Sequence, residues 1–221
     1  MEKTLIIGAS GGIGSALATE LRARGVQVLG LSRSGEGLDI TDEASVDAHL
    51  GALEGPFDGI FVASGALEID GAEPEKTIKA VTARAMADQF AVNAIGPALM
   101  LRHAARLLPR EGRSICAVLT ARVGSIGDNR IGGWTSYRAA KAAANQIVHT
   151  TAIELARTHP DLVCVAVHPG TVETPFTQKY LSRHPAVPAD EAAQNILSVL
   201  EGLTPGQTGG FYDWAGEQVK W

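Results

Sequence analysis

Short, nearly continuous apolar runs alternate along the chain with longer segments whose apolar residues recur every three to four positions. Residues 4–7, 26–31, 59–63, 114–119 and 163–168 are rich in Val, Ile and Leu without polar alternation, the pattern of strands buried on both faces. Residues 12–24, 42–53, 82–108, 136–158 and 189–203 read as helices, and residues 209–213 as a last strand. Such alternation predicts βαβ crossovers, hence a doubly wound α/β domain: a parallel sheet with helices on both faces. The Gly- and Pro-bearing stretches 65–74 and 171–188 each follow a strand, so they fall at the carboxyl edge of the sheet, where such folds bind ligands.

Length and composition narrow this picture. A chain of 221 residues suits one domain over 1–221, and 45% hydrophobic against 19% charged residues excludes disorder as the main theme. A net charge of -5 with 5% aromatics supplies neither a basic stripe nor stacking platforms, so no nucleic-acid partner is expected. No apolar stretch is long enough to span a membrane. Cys116 and Cys164 sit inside apolar runs and read as reduced core residues, and a cytoplasmic location is expected. The six histidines lack metal-ligand spacing, so no metal is expected, and His168 reads as structural.

The first strand runs straight into a helix through Gly8-Ala9-Ser10-Gly11-Gly12-Ile13-Gly14. Glycines allow the tight turn and the close approach of a pyrophosphate, whose charge then meets the free amides and positive end of the helix. In its strand-to-helix context the turn reads as a Rossmann-type dinucleotide site. The second strand ends in Ser32-Arg33-Ser34 rather than in a carboxylate. A carboxylate would repel a 2′-phosphate, whereas a serine hydroxyl and a guanidinium bind one, so NADP(H) is preferred, with NAD(H) as the alternative.

Tyr137 and Lys141 stand four apart at the start of a long helix and share a face. A phenol ordinarily titrates near pH 10; an adjacent ammonium favours the phenolate and lowers that value, so Tyr137 could exchange a proton with a carbonyl or alcohol oxygen.

These elements together resemble the short-chain dehydrogenase/reductase family. The matching residues are Gly8-x3-Gly12-x-Gly14, Asp39-Ile40, Asn93 in Val92-Asn93-Ala94, Tyr137-x3-Lys141 and Pro169-Gly170-Thr171-Val172-x-Thr174, in the family's order across nearly the whole chain. The stretches 121–126, 132–134 and 137–139 are further similar to the branch of C-factor-like signalling proteins and sniffer-type carbonyl reductases. The resemblance implies Tyr137 as general acid/base, Lys141 as its modulator and ribose ligand, and Asn93, interrupting a helix, as the holder of a water between Lys141 and solvent. It implies further that Asp39 and Ile40 border the adenine, Ala63, Ser64 and Gly65 the adenosine, and Pro169, Gly170, Val172 and Thr174 the nicotinamide. A homodimer or homotetramer built on helices such as the alanine-rich 139–153 stretch is also implied.

Two positions depart from the family pattern. Residues 62–65 read Val-Ala-Ser-Gly where the family commonly shows Asn-Asn-Ala-Gly, and Ala121 occupies the slot of the serine that polarises the substrate carbonyl. Ser125 is the expected replacement and Thr120 the substitute; the structural alternative for Ser125 is a hydroxyl that caps a turn. The expected activity is reduction of a carbonyl compound or oxidation of the alcohol, with the segment 171–188 as substrate loop and Trp134, Phe176 and Tyr180 suggesting an apolar substrate. The rival reading is a cofactor-binding signalling or redox-sensing protein with little turnover.

Overall fold

The computed structural model describes residues 1–175, 177–179 and 186–221. Six parallel strands form one sheet: β1 (Lys3–Ile7), β2 (Gln27–Leu31), β3 (Gly59–Val62), β4 (Ser114–Leu119), β5 (Leu162–His168) and β6 (Phe211–Asp213), in the order β2-β1-β3-β4-β5-β6. The chain winds outward from β1 to β2, then returns past β1 to β3, so the winding reverses between β1 and β3. That reversal opens a crevice beyond their carboxyl ends.

Helices cover both faces, as the crossover rule demands. On one face α2 (Glu43–Gly51), α4 (Gly96–Arg102), α5 (Ala104–Leu107) and α6 (Thr135–Leu155) bury Val46, Leu50, Met100, Leu107, Val148 and Ala152 against Ile7, Val62, Cys116, Val118 and Cys164. On the other, α1 (Gly12–Ala23) and α7 (Ala189–Gly202) bury Leu17, Leu21, Ile196 and Leu197 against Ile6, Phe61, Ala117 and Val165. Because β3, β4 and most of β5 are covered on both sides, they read as unbroken apolar runs. β2 departs from the expectation: it is the edge strand, with Gln27 exposed and Val28, Leu29 and Gly30 half-buried. Cys116 and Cys164 are free, fully buried and directly paired across β4 and β5.

The long helix expected over 82–108 is broken. After α3 (Ala83–Phe90) the backbone makes a π turn over Ala91–Ile95 before α4 and α5 resume. Pro97, with no N–H, cannot close the ordinary helical bond to the carbonyl of Asn93, and Asn93 lies at the middle of the widened turn.

Candidate functional site

The glycine turn is built for close approach. Gly8 has φ +85°, and a Cβ there would stand 2.8 Å from the backbone nitrogen of Ser64; a Cβ on Gly14 would fall 2.2 Å from the carbonyl oxygen of Gly8. One on Gly12 would meet the Thr174 methyl at 2.4 Å. Only glycine allows β1, β3 and α1 to converge this tightly. Gly11 caps α1 without a side-chain acceptor, so the first amides of that helix, beginning at Gly12 and Ile13, are left for another partner.

A cleft of about 320 Å³ opens at this convergence. Gly8, Ser10 and Gly11 of the glycine turn, Ser32 and Arg33 from the end of β2, Asp39 and Ile40, and Ala63, Ser64 and Gly65 after β3 all line it, as expected from sequence. Glu68, from the 65–74 stretch expected at this edge, and Val92, beside Asn93, line it as well, together with Leu38 and Thr41, which carried no sequence signal. Ser34 ties the β2 turn to the glycine turn by donating from Oγ to Ser10 Oγ at 2.9 Å. The Asp39 carboxylate accepts from the Thr41 hydroxyl (2.7 Å) and amide (2.9 Å), which hold its pKa below the usual carboxylate range. Ser32 differs from expectation: its N–H and its hydroxyl both donate to the Glu36 carboxylate, so neither is free for a phosphate in this conformation.

The cleft suits a dinucleotide. Ser64 Oγ is buried without a partner on its wall, the glycine cradle accommodates no side chain, and the helix end beside it lacks an acceptor. The uncapped amides at the start of α1 are the donors an anion would meet there.

Tyr137 and Lys141 lie on the first turns of α6, 5% and 3% exposed, with Lys141 Nζ 5.8 Å from the centre of the Tyr137 ring. The expected lowering of the phenol pKa is not what this geometry produces: burial of Tyr137 prevails and raises it above the ordinary value. Burial pushes the Lys141 ammonium down to about 8, with one hydrogen bond to the Leu119 carbonyl at 3.3 Å. Asn93 is fixed from three sides. Its Nδ2 donates to the Ala66 carbonyl (2.8 Å) and to Gln89 Oε1 (2.7 Å), and its Oδ1 accepts from the Ala66 amide (3.2 Å). Oδ1 and Lys141 Nζ converge on Gly65, lying 3.1 and 3.3 Å from where a Cβ there would stand.

Ser125 is not free as expected. Its hydroxyl donates to the Lys220 carbonyl at 2.5 Å and accepts from the Asp128 amide at 3.0 Å, capping a turn and anchoring the carboxyl-terminal segment. Thr120, just past β4, is buried and its Oγ1 has no partner. The Thr120 amide donates to the Val167 carbonyl at 2.8 Å, one residue before His168. Burial pushes the His168 imidazole down to about 4, which leaves it neutral at physiological pH.

On the far side, Pro169 and Gly170 follow β5, and Gly170 takes φ +81° under the indole of Trp214. Val172 is buried and pairs with Val187; its carbonyl accepts from the Thr177 hydroxyl, which also lies 3.3 Å from Thr174 Oγ1. Phe176 and Tyr180 lie outside the described residues. Trp134, with φ 53°, places its ring edge-on to Tyr137 at 6.2 Å.

Two contacts that sequence reasoning missed position the start of α6. Glu75, 8% exposed, accepts from the amide and hydroxyl of Ser136 at the start of α6, and its carbonyl accepts the Trp134 N–H at 2.5 Å. Arg138 bonds the carbonyls of Gly133 and Val123 and thereby holds both ends of the 123–133 loop against the helix. Gln89, four residues before Asn93 on one helical face, carried a readable signal; Glu75, 61 residues from Ser136, carried none. Among the described residues no cluster of His, Cys, Asp and Glu could hold a metal ion, and no helix is long and apolar enough to cross a membrane.

Known proteins are similar to this chain in sequence and fold. Residues 8–200 match the family model described as enoyl-(acyl carrier protein) reductase. The chain is 29% identical to 1-hydroxy-2-glutathionyl-2-methyl-3-butene dehydrogenase of Rhodococcus sp. (strain AD45) over the whole of both chains. It is 36% identical to the C-signal protein of Myxococcus xanthus over 141 residues, 62% of this chain and 78% of that one. A solved short-chain dehydrogenase/reductase from Burkholderia multivorans with bound NADP superposes with a TM-score of 0.84 at 29% identity, covering 100% of this chain and 99% of the other. A single family model thus spans most of the sheet and its glycine turn, and this protein belongs to the short-chain dehydrogenase/reductase family.

Proposed function

We propose that this oxidoreductase uses NADP(H) to interconvert a carbonyl compound and its alcohol, with Tyr137 exchanging the proton at the substrate oxygen. The observation that carries the reading is the convergence of Asn93 Oδ1 and Lys141 Nζ on Gly65 at the cleft wall, one helix turn from Tyr137. When bound, the nicotinamide supplies or takes the hydride. The glycine turn and the first amides of α1 hold the pyrophosphate. Arg33 holds the 2′-phosphate, with Ser34 beside it bracing the turn against Ser10, and Asp39, Ile40 and residues 63–65 border the adenosine. Lys141 holds the ribose and Pro169, Gly170, Val172 and Thr174 border the carboxamide.

Tyr137, protonated at neutral pH, gives its proton to the oxygen of a carbonyl substrate. Lys141, at about 8, exchanges protons readily near neutrality, and Asn93 is held with its oxygen beside Gly65, the residue that Lys141 Nζ also approaches. Re-protonation of the phenolate therefore runs through Lys141 and a water held at Asn93. The 65–74 and 127–134 segments and residues 171–175 border the substrate, and Trp134 beside Tyr137 favours an apolar carbonyl compound. The protein works in the cytoplasm as a homo-oligomer; Ile95 and Ile153, each 51% exposed, supply apolar surface for that association.

The rival reading, a dinucleotide-binding signalling protein, draws on Ala121 in the serine slot, on the engaged hydroxyl of Ser125, and on similarity to a protein named C-signal. Absorbance-monitored NADPH consumption with a panel of aldehydes, ketones and quinones separates the two. The enzyme reading predicts turnover with at least one class. Tight NADPH binding with none across the panel favours signalling.

A further inference from the structure

The turn that follows β2 holds a carboxylate where the reading above needs phosphate-binding groups. Ser32 N–H donates to Glu36 Oε2 at 2.7 Å, and Ser32 Oγ donates to the same oxygen at 3.1 Å. Ser32 Oγ also accepts from the Gly35 amide at 3.0 Å, and the Glu36 and Leu38 amides both return to the Ser32 carbonyl at 3.1 Å. A Cβ on Gly35 would stand 2.8 Å from Ser32 Oγ, so a side chain there would displace that hydroxyl. His49 fastens it from α2, with Nε2 at 2.9 Å from the Glu36 carbonyl and Nδ1 at 2.7 Å from the Ser45 carbonyl.

Ser32 lines the cleft and Glu36 does not. One carboxylate oxygen therefore draws both donors of a cleft residue away from the cleft and sets a negative charge directly behind it. A 2′-phosphate arriving at the end of β2 finds Ser32 already committed to an anion and meets a like charge, which opposes it. A 2′-hydroxyl carries no charge and meets no such opposition.

We propose that Glu36 is a specificity-determining residue that restrains the preference for a 2′-phosphorylated dinucleotide, leaving the phosphate to Arg33. The proposal rests on the assignment of the 2′-phosphate to the end of β2. Neutralising Glu36 raises selectivity for the phosphorylated cofactor, and Glu36→Gln does so while keeping an acceptor that can bridge Ser32 and preserve the turn.

The test is direct binding by titration calorimetry of NADPH, NADH and 2′,5′-ADP to the wild type, Glu36→Gln, Glu36→Ala and Arg33→Ala, with a thermal melt of each. Glu36→Gln is expected to tighten NADPH and 2′,5′-ADP about threefold to tenfold, the range for a partly exposed charge near a ligand, and to leave NADH within about twofold. Unchanged or weaker NADPH binding in both Glu36 variants with wild-type melting overturns the proposal, as does an equal shift for NADPH and NADH, which marks Glu36 as a prop for the turn. Arg33→Ala separates the two layers. If it lowers the NADPH-to-NADH ratio while Glu36→Gln is inert, only the Glu36 proposal falls; if it leaves the ratio untouched, the phosphate assignment falls with it.

Discussion

Asn93 Oδ1 and Lys141 Nζ come together beside Gly65, from a π turn on one side and from α6 on the other, so that a Cβ there would stand 3.1 and 3.3 Å from them and one of the two must give by a few tenths of an ångström. Asn93 cannot yield, because Ala66 and Gln89 fix its amide at both ends.

Gly65→Ala therefore displaces the lysine rather than the asparagine. The expected result is a fall in kcat of about tenfold or more, in line with the penalty for small misplacements at a reacting centre, with the fold intact by circular dichroism. Steady-state kinetics beside a thermal melt check it. Unchanged kcat would mean that the convergence is incidental.

Lys141 makes a pH prediction whose sign follows from burial. Its pKa falls from 10.5 to about 8 on folding, so between these values the unfolded chain binds more protons than the native one, and this group makes stability rise with pH. At pH 7 the buried ammonium costs up to about 3 kcal/mol, because each tenfold loss of proton affinity corresponds to about 1.4 kcal/mol. Lys141→Met should be inactive yet more stable than the wild type at pH 7, and its advantage should shrink from pH 8 to pH 10. Urea unfolding of both proteins across that range measures it; an advantage independent of pH would show that the native ammonium is not desolvated.

Ser125 and Thr120 part company on the same reasoning. Ser125→Ala removes two hydrogen bonds that hold the turn and the carboxyl-terminal segment, so it should cost about 1–2 kcal/mol of stability with kcat within about threefold of wild type. Thr120→Val loses a hydroxyl with no protein partner and should leave stability nearly unchanged. A collapse of kcat in Ser125→Ala at wild-type stability would return the serine to the reacting centre.

The parallel sheet was legible because β3, β4 and β5 are covered on both faces and advertise it as apolar runs, and the glycine turn was legible because its spacing leaves few other uses. Asn93 as an interruption came from the family resemblance alone, since the apolar pattern reads as one helix over 82–108; the residue behind the widened turn is Pro97, whose missing N–H is a local effect that periodicity does not register. What stayed hidden depends on distant pairing or on short turns. Glu75 reaches Ser136 across 61 residues, Ser125 meets Lys220 across 95, and Glu36 captures Ser32 within a turn that composition alone does not describe. The phenol departs from expectation for a related reason: its spacing to Lys141 is visible in the sequence, whereas the burial that outweighs it is not.

The most direct test of the central claim is isotope transfer. NADPH deuterated at the transferred position of the nicotinamide is mixed with the aldehyde and ketone panel and either wild type or Tyr137→Phe, and the alcohol is analysed by mass spectrometry. The account predicts deuterium on the carbinol carbon with the wild type, and a rate lower by about a hundredfold or more with Tyr137→Phe at unchanged NADPH affinity. Equal transfer by both proteins, or NADPH binding with no deuterium in any product, would contradict it.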